Sequence, residues 1–413
     1  MQGINRMSNR VLITGMNVIT SLGLDLDSSW ENLVAGKSGV RKISLFDADG
    51  MQTRIAAQVP DEFEEYSKER IVRKKARQMT RVTRMCFVCA ADAVKNSGIS
   101  FENIDRTRCS VILGVVSTAN TSIEKDTTAQ NRILKSMNNA MSAWISLEYQ
   151  LEGPNFSVSS ACASSAYAIA LGYEMIKNGQ ADIVITGGAD SIVNPEEIEG
   201  FNELYALCTE NDPPEKASRP FSGNRDGFVI GEGAGILILE SEQSALKRNA
   251  TIHGEIAGYA TTSEAYNIMA PAKGGEGIAL TIEKALKNAG ITIDEVDYIN
   301  AHGTSTTLND LYETAAIKKV FGEKAGKVPI SSSKSMIGHT VGAAGAIEGI
   351  ITVKSIETGI ITPTINYDVP DPDLDLDYVP NVHRKKNIHY ALSNSFAFGG
   401  HNAVIVFKKY IKQ

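Results

Sequence analysis

A cysteine, two histidines and a lysine are the residues of this chain best placed to do chemistry. Cys162 lies in the run N-F-S-V-S-S-A-C-A-S-S-A-Y-A-I-A-L-G-Y-E-M-I-K-N-G-Q at residues 155–180. There a β-type stretch at residues 156–158 gives way to small residues, and a helical pattern then runs from Ala163 to near Gly179. A thiol at a helix start meets unpaired N–H groups and the positive end of the helix dipole, both of which favour thiolate. Ser160, Ala161, Ala163, Ser164 and Ser165 have little bulk, so a substrate carbonyl can reach the sulfur and backbone N–H groups can face its oxygen. Taken alone, the segment fits a buried structural cysteine equally well. His302 stands in Y-I-N-A-H-G-T-S-T-T at residues 298–307, and Lys334 and His339 stand in P-I-S-S-S-K-S-M-I-G-H-T-V-G-A-A-G-A at residues 329–346. Each of these runs reads as a strand entering a small-residue loop. His253, His383, His389 and His401 occupy more ordinary polar or strand-edge settings. A single histidine so placed is more often structural than catalytic; two of them together with a cysteine at a helix start point to catalysis.

The elements that must position these groups repeat. Residues 93–105 read A-V-K-N-S-G-I-S-F-E-N-I-D and residues 285–297 read A-L-K-N-A-G-I-T-I-D-E-V-D, identical at six of thirteen positions. Each copy predicts a helix end, a glycine cap and the approach to a buried strand, at residues 110–113 and 298–300. R-D-G-F-V-I-G-E-G-A-G-I-L-I-L-E at 225–240 and N-S-F-A-F-G-G-H-N-A-V-I-V-F-K-K at 394–409 correspond in the same way, a Phe-Gly turn feeding an apolar strand. The chain therefore divides into two related α/β halves, residues 1–250 with the cysteine and 251–413 with the histidines, whose loops meet at a shared seam. Residues 11–15 predict a strand, residues 28–35 a short helix with Trp30 and Leu33 on one face, and residues 66–96 a long helix, basic in its early part and ended by Gly98. Cys86 and Cys89 share one apolar face of that helix, which favours core packing over metal binding. The glycines at 231–235 lack the spacing of a dinucleotide-binding loop.

Composition narrows the classes. At 413 residues, 43% hydrophobic and 22% charged, the chain has the make-up of a globular enzyme. It has no apolar run long enough to span a membrane and no apolar signal core, so a cytoplasmic location is expected, with no membrane partner. Five cysteines in a chain of this length form no disulfide framework. A net charge of −7 argues against nucleic acid as a partner.

Cys162 in S-A-C-A-S-S, His302 in N-A-H-G-T-S-T, Lys334 and His339 in S-S-K-S-M-I-G-H-T-V-G-A-A-G-A, and the late N-S-F-A-F-G-G-H-N together resemble the β-ketoacyl-(acyl carrier protein) synthases, most closely the elongating type II enzymes. The likeness runs from V-L-I-T-G near the start to the last strand. It implies the thiolase fold, a five-layered α-β-α-β-α arrangement of two duplicated halves, and a dimer built across the strand before the nucleophile. It also implies an acyltransferase that condenses an acyl group held on Cys162 with malonyl-carrier protein. No cofactor is expected, since the phosphopantetheine arrives on the acyl carrier protein. By the same resemblance, the backbone N–H groups of Cys162 and Phe398 form an oxyanion hole, His302 and His339 stabilise the enolate, and Lys334 and Glu348 form an orienting salt bridge. Thr304 and Thr306 bind the pantetheine amides, and the Phe398 ring gates the acyl tunnel. Asp310 and Glu313 match acidic positions where a structural cation, an ion pair or a plain surface pair is expected. Arg73, Lys74, Lys75 and Arg77 fall in the region that docks the carrier.

A thiolase would need a second cysteine near residue 401, and a starter-unit synthase would show Cys, His and Asn. The runner-up is the ketosynthase subunit of a specialised type II polyketide or polyene pathway, forming a heterodimer with a related chain-length subunit instead of a homodimer. Two departures bear on substrate and partner. Glu210 stands where elongating synthases often carry a base, and residues 115–141 are more polar than the matching stretch that lines the acyl tunnel.

Overall fold

The computed structural model describes residues 10–116 and 129–412. Residues 117–128 of the polar 115–141 stretch lie outside them. Among the described residues no helix is long and apolar enough to cross a membrane.

Ten strands and five helices make the frame. They are β1 Val11–Ile19, α1 Arg81–Ser97, β2 Cys109–Gly114, β3 Asn155–Val158, α2 Ser164–Lys177, β4 Ile183–Ser191 and β5 Glu232–Ser241 in the first half. The second half contributes β6 Gly254–Ser263, α3 Glu276–Ala289, β7 Val296–Asn300, α4 Thr307–Phe321, β8 Ile330–Ser331, α5 Ala344–Thr358, β9 Tyr390–Ala397 and β10 His401–Lys408. The strands lie in the order β8-β7-β9-β10-β6-β1-β5-β4-β2-β3. Adding five to each strand number of the first half gives the second half's order, and the senses match too. β1–β5 and β5–β4 are antiparallel, as are β6–β10 and β10–β9. β4–β2, β2–β3, β9–β7 and β7–β8 are parallel. The duplication read from the sequence is thus carried into topology, and a short antiparallel pairing of Val11, Leu12 and Ile13 with Ile256, Glu255 and Gly254 joins the halves.

The repeat predicts its elements closely. α1 and α3 end on Gly98 and Gly290, both left-handed at φ 66° and 69°, and each is followed by a 3-10 turn and a parallel strand. α1 packs outside β1, β5 and β4, and α3 outside β6 and β10, giving the two outer layers. Between the sheet halves lie α2 and α5, in contact with each other and with strands of both halves. This is the expected α-β-α-β-α stack. A central helix has no solvent face, so α5 is apolar nearly all round and buried from Ala344 to Val353. Burying Ile347, Ile350 and Ile351 contributes roughly 1.5–3 kcal/mol each. The two central helices cross where a Cβ on Gly345 would meet the Ala166 Cβ at 2.8 Å. A side chain there would push the helix after the nucleophile from the helix after His339.

Three local expectations change. The strand predicted at 11–15 continues to Ile19. The short helix is Leu26–Val34, capped by the Asp25 side chain on Ser28 N–H, with Trp30 and Leu33 buried as expected. The single helix predicted over 66–96 is three, Phe63–Arg70, Arg73–Ala76 and α1. Ile71 turns extended at φ −120°, ψ 120°, its β-branched side chain buried, and Thr80 restarts the helix by capping Thr83 N–H.

Candidate functional site

β3 delivers the chain to a tight elbow. Ala161 takes φ +48°, Cys162 follows, and α2 begins at Ser164. The Ser164 hydroxyl stitches the elbow, accepting from Ser160 N–H at 2.8 Å and donating to the Ala161 carbonyl at 2.7 Å. Cys86, Cys89, Cys109 and Cys208 are buried, whereas Cys162 is open to a cavity. Cys86 and Cys89 are core residues, as their spacing implied. Packing opposes the pull of the helix start toward thiolate. Burial pushes the Cys162 thiol up to about 12, Lys334 pulls it down, and Asp190 and Glu348 add to the rise.

A cavity of ≈ 430 Å³ spans the seam and is lined by Cys162 from the first half and by His302, Thr304, Thr306, His339 and Phe398 from the second. β7 ends at Asn300 and leads into the His302 loop. The His302 and His339 rings stand edge to face, 5.3 Å between centroids and 85° between planes. Phe228 meets His339 at 5.3 Å and Phe396 meets His302 at 5.8 Å, both edge to face, so each imidazole is braced by an aromatic ring. Burial first, then Lys334, and for His302 also His339, hold both imidazoles well below the usual histidine range. Both rings are therefore neutral at physiological pH. The Lys334 Nζ lies 3.4 Å from His302 Nδ1 and donates to the His302 carbonyl at 2.7 Å. With a cationic donor facing Nδ1, the His302 proton sits on Nε2. His339 is fixed through its backbone, its N–H donating to Val229 O at 2.7 Å and its carbonyl accepting from Gly231 N–H at 2.9 Å.

Lys334 and Glu348 form the expected ion pair, with 2% and 1% of their side chains exposed. Burial lifts the Glu348 carboxyl to about 7 against the pull of Lys334. Asp310 and Glu313 are fully buried and are not a surface pair, and each is held largely by backbone N–H groups. Asp310 accepts from Thr304 N–H at 3.0 Å and Phe221 N–H at 2.8 Å. Glu313 accepts from His302 N–H at 2.9 Å, Gly303 N–H at 2.8 Å and Asn394 Nδ2 at 3.0 Å. Two carboxylates three residues apart on α4 thus grip the loop that carries His302. Arg225 lies 3.8 Å from Asp310, and among the described residues no His/Cys/Asp/Glu cluster forms a metal cage.

Thr304 and Thr306 share a hydroxyl hydrogen bond of 2.8 Å on the cavity wall. Phe398 opens a 3-10 turn between β9 and β10 beside Cys162's cavity. At the surface, Arg73, Lys74 and Arg77 are exposed, but Lys75 is drawn into an ion pair with Glu148. Glu210 is held by Arg219 at 2.6 Å, and Arg219 also binds Asp226. Its charge is therefore answered locally. Phe228, Phe396 and Asp190 escaped the sequence reading, although Phe228 and Phe396 stand inside the two Phe-Gly turns that the repeat had aligned.

Sequence models match the chain in two parts, the β-ketoacyl synthase N-terminal domain over residues 8–245 and its C-terminal domain over residues 253–368. It is 40% identical over 416 aligned positions to 3-oxoacyl-[acyl-carrier-protein] synthase 2 of Staphylococcus aureus, covering 98% of this chain and 99% of the relative. The protein of the same name from a Synechocystis species is 39% identical over the same shares. Among solved structures, a ketosynthase bound to a hexaketide in complex with its type II PKS acyl-carrier protein and the ishigamide ketosynthase/chain length factor each superpose with a TM-score of 0.88 at 34% identity. Each superposition covers 98% of this chain and 100% of the other.

Proposed function

The chain belongs to the β-ketoacyl synthase family, and we propose that it condenses an acyl thioester on Cys162 with malonyl-acyl carrier protein, releasing carbon dioxide and giving a β-ketoacyl-acyl carrier protein, as in fatty-acid elongation. The observation that carries this reading is the pair of neutral imidazoles facing the same cavity as the one solvent-reached thiol among the described residues.

In the first half-reaction the Cys162 sulfur attacks the acyl thioester, the backbone N–H groups of Cys162 and Phe398 meet the tetrahedral oxyanion, and the pantetheine thiol leaves with the proton that Cys162 gives up. No net base is consumed, which suits a thiol held protonated by burial. In the second, malonyl-carrier protein loses carbon dioxide, and the enolate oxygen accepts from Nε2 of His302 and from His339. The enolate carbon attacks the acyl carbonyl, and the Cys162 sulfur departs as thiolate and takes up one proton from solvent to restore the thiol. Neutral donors stabilise the developing charge without giving up a proton to it. Thr304 and Thr306 orient the pantetheine arm, and the Phe398 ring gates the acyl chain. Incubation with a panel of acyl-carrier proteins followed by peptide mapping tests the reading. A thioester on Cys162 alone is expected, and acyl label on Cys208 or Cys89 would overturn it.

The same panel separates the runner-up. Loading restricted to polyketide or polyene intermediates, with saturated chains refused, would favour a specialised ketosynthase, the kind of protein to which the chain is 34% identical. β3 supports assembly in either case. Among the described residues it is the outermost strand of the sheet, with Asn155 and Phe156 exposed, and an open edge of this kind suits pairing with a second copy or a related subunit. We place the enzyme in the cytoplasm.

Carrier docking falls to Arg73, Lys74 and Arg77, since Lys75 is already paired. A chain of net charge −7 attracts an acidic carrier only through such a local patch. Arg73→Glu with Lys74→Glu is expected to slow association about 10-fold at low salt and to flatten its salt dependence, with alkylation of Cys162 by iodoacetamide unchanged. Stopped-flow binding checks this, and unchanged kinetics would move the docking surface elsewhere.

A further inference from the structure

Across the seam from the histidines, Asp190 lies at the end of β4 with its side chain fully buried and, among the described residues, no salt-bridge partner. Its two oxygens are divided between the halves. Oδ1 accepts from Ser191 N–H at 2.9 Å within the nucleophile half, and Oδ2 accepts from Gly342 N–H at 2.9 Å in the turn that follows His339. That turn is strained. Val341, a β-branched residue on the cavity wall, takes φ +43°, a conformation such residues rarely adopt without being held. It is also wedged, since a Cβ on Gly342 would meet Asp190 Oδ2 at 2.9 Å and Val116 Cγ2 at 3.0 Å.

We propose that Asp190 is a positioning residue: its carboxylate clamps the 339–343 turn of the second half to the strand end of the first, and so sets where His339 stands relative to Cys162. The clamp needs a carboxylate. One oxygen per N–H uses both acceptor sites, and an amide of the same size would turn its own N–H₂ against one of the two donors. Burial lifts the carboxyl to about 7 and the two N–H bonds draw it back, so the clamp is held against a standing desolvation cost. A buried group kept at such a cost, joined to a strained pocket residue, is what a shaped site requires. Structure alone would be served by an apolar side chain.

The inference rests on His339 acting as an enolate donor. In Asp190→Asn, malonyl-carrier decarboxylation is expected to fall about 10-fold in kcat with KM little changed, the size of one misaligned donor. Alkylation of Cys162 by iodoacetamide should hold or quicken, because a nearby negative charge has gone. Gly342→Ala reaches the same contact from the other side by wedging the turn off Asp190, and the same split is expected should the asparagine variant fold poorly. Decarboxylation at the parental rate in either variant, or equal loss of alkylation and decarboxylation in both, would overturn the clamp. His339→Ala run alongside distinguishes the two readings. If it decarboxylates normally the enolate assignment itself fails, and if it is impaired while Asp190→Asn is not, only the clamp fails.

Discussion

His302→Ala and His339→Ala are each expected to lose roughly 10²–10³ in malonyl decarboxylation while still transferring an acyl group to Cys162. The two half-reactions place negative charge on different oxygens. The first is met by backbone N–H groups at the nucleophile elbow and the Phe398 turn, which neither substitution removes. The second is met by two side-chain N–H groups, and deleting one leaves the enolate with half of its preorganised donors. Neutrality is part of the argument. Both imidazoles are held below the ordinary histidine range by burial and by Lys334, so ¹⁵N resonances of the two rings should remain those of neutral imidazole at pH 6, with His302 protonated on Nε2. Burst acylation measured beside carbon dioxide release checks the split. A variant that loses both steps equally would show that the histidine positions and does not donate, and normal decarboxylation in either would remove that residue from the reaction.

What could be read from the chain was what short-range pattern encodes. The glycine caps at Gly98 and Gly290, each followed by a 3-10 turn and a buried strand, are local events, so the duplication showed itself before any contact was known. The spacing of Cys86 and Cys89 placed them in the core for the same reason, one helix face being one environment. Long-range packing decided the rest. Nothing near Cys162 in sequence announces how deeply it packs, because the cluster it joins is drawn from distant parts of both halves, Ile192, Phe228 and Ile230 from the first and Val341 from the second. The acidic pair Asp310 and Glu313 was visible as a pattern, but only the folded loop supplies the N–H groups that explain it. Lys75 looked as free as its neighbours until Glu148, on the helix Ala140–Tyr149, came beside it. The break at Ile71 hid in a run of good helix formers, since its cause is a buried side chain and not a proline or glycine.

Lys334→Met is expected to cost about 3–5 kcal/mol of stability, the range for removing one partner of a buried ion pair. The lysine is 1% exposed and its ammonium serves the Glu348 carboxylate, the His302 carbonyl and, at 3.4 Å, His302 Nδ1. Without it, Glu348 sits uncompensated on an otherwise apolar central helix and binds a proton far more readily than in the unfolded chain. The sign of the pH effect follows. A carboxyl whose folded pKa lies above its unfolded value stabilises most at low pH and loses that stability as pH rises through the folded value, already about 7 with the lysine present. Urea unfolding of Lys334→Met should therefore show stability falling from pH 6 to pH 8 more steeply than in the parent. Adding Glu348→Leu removes the buried charge, so most of the stability should return and the fall with pH should become no steeper than in the parent, since the carboxyl that causes it is gone. Decarboxylation should not return with them, because His302 then lacks the donor that fixes its carbonyl and holds its proton on Nε2. Recovery of both stability and decarboxylation in the double variant would make the pair a packing feature alone. Recovery of stability only separates the fold's need for a matched pair from the reaction's need for the lysine.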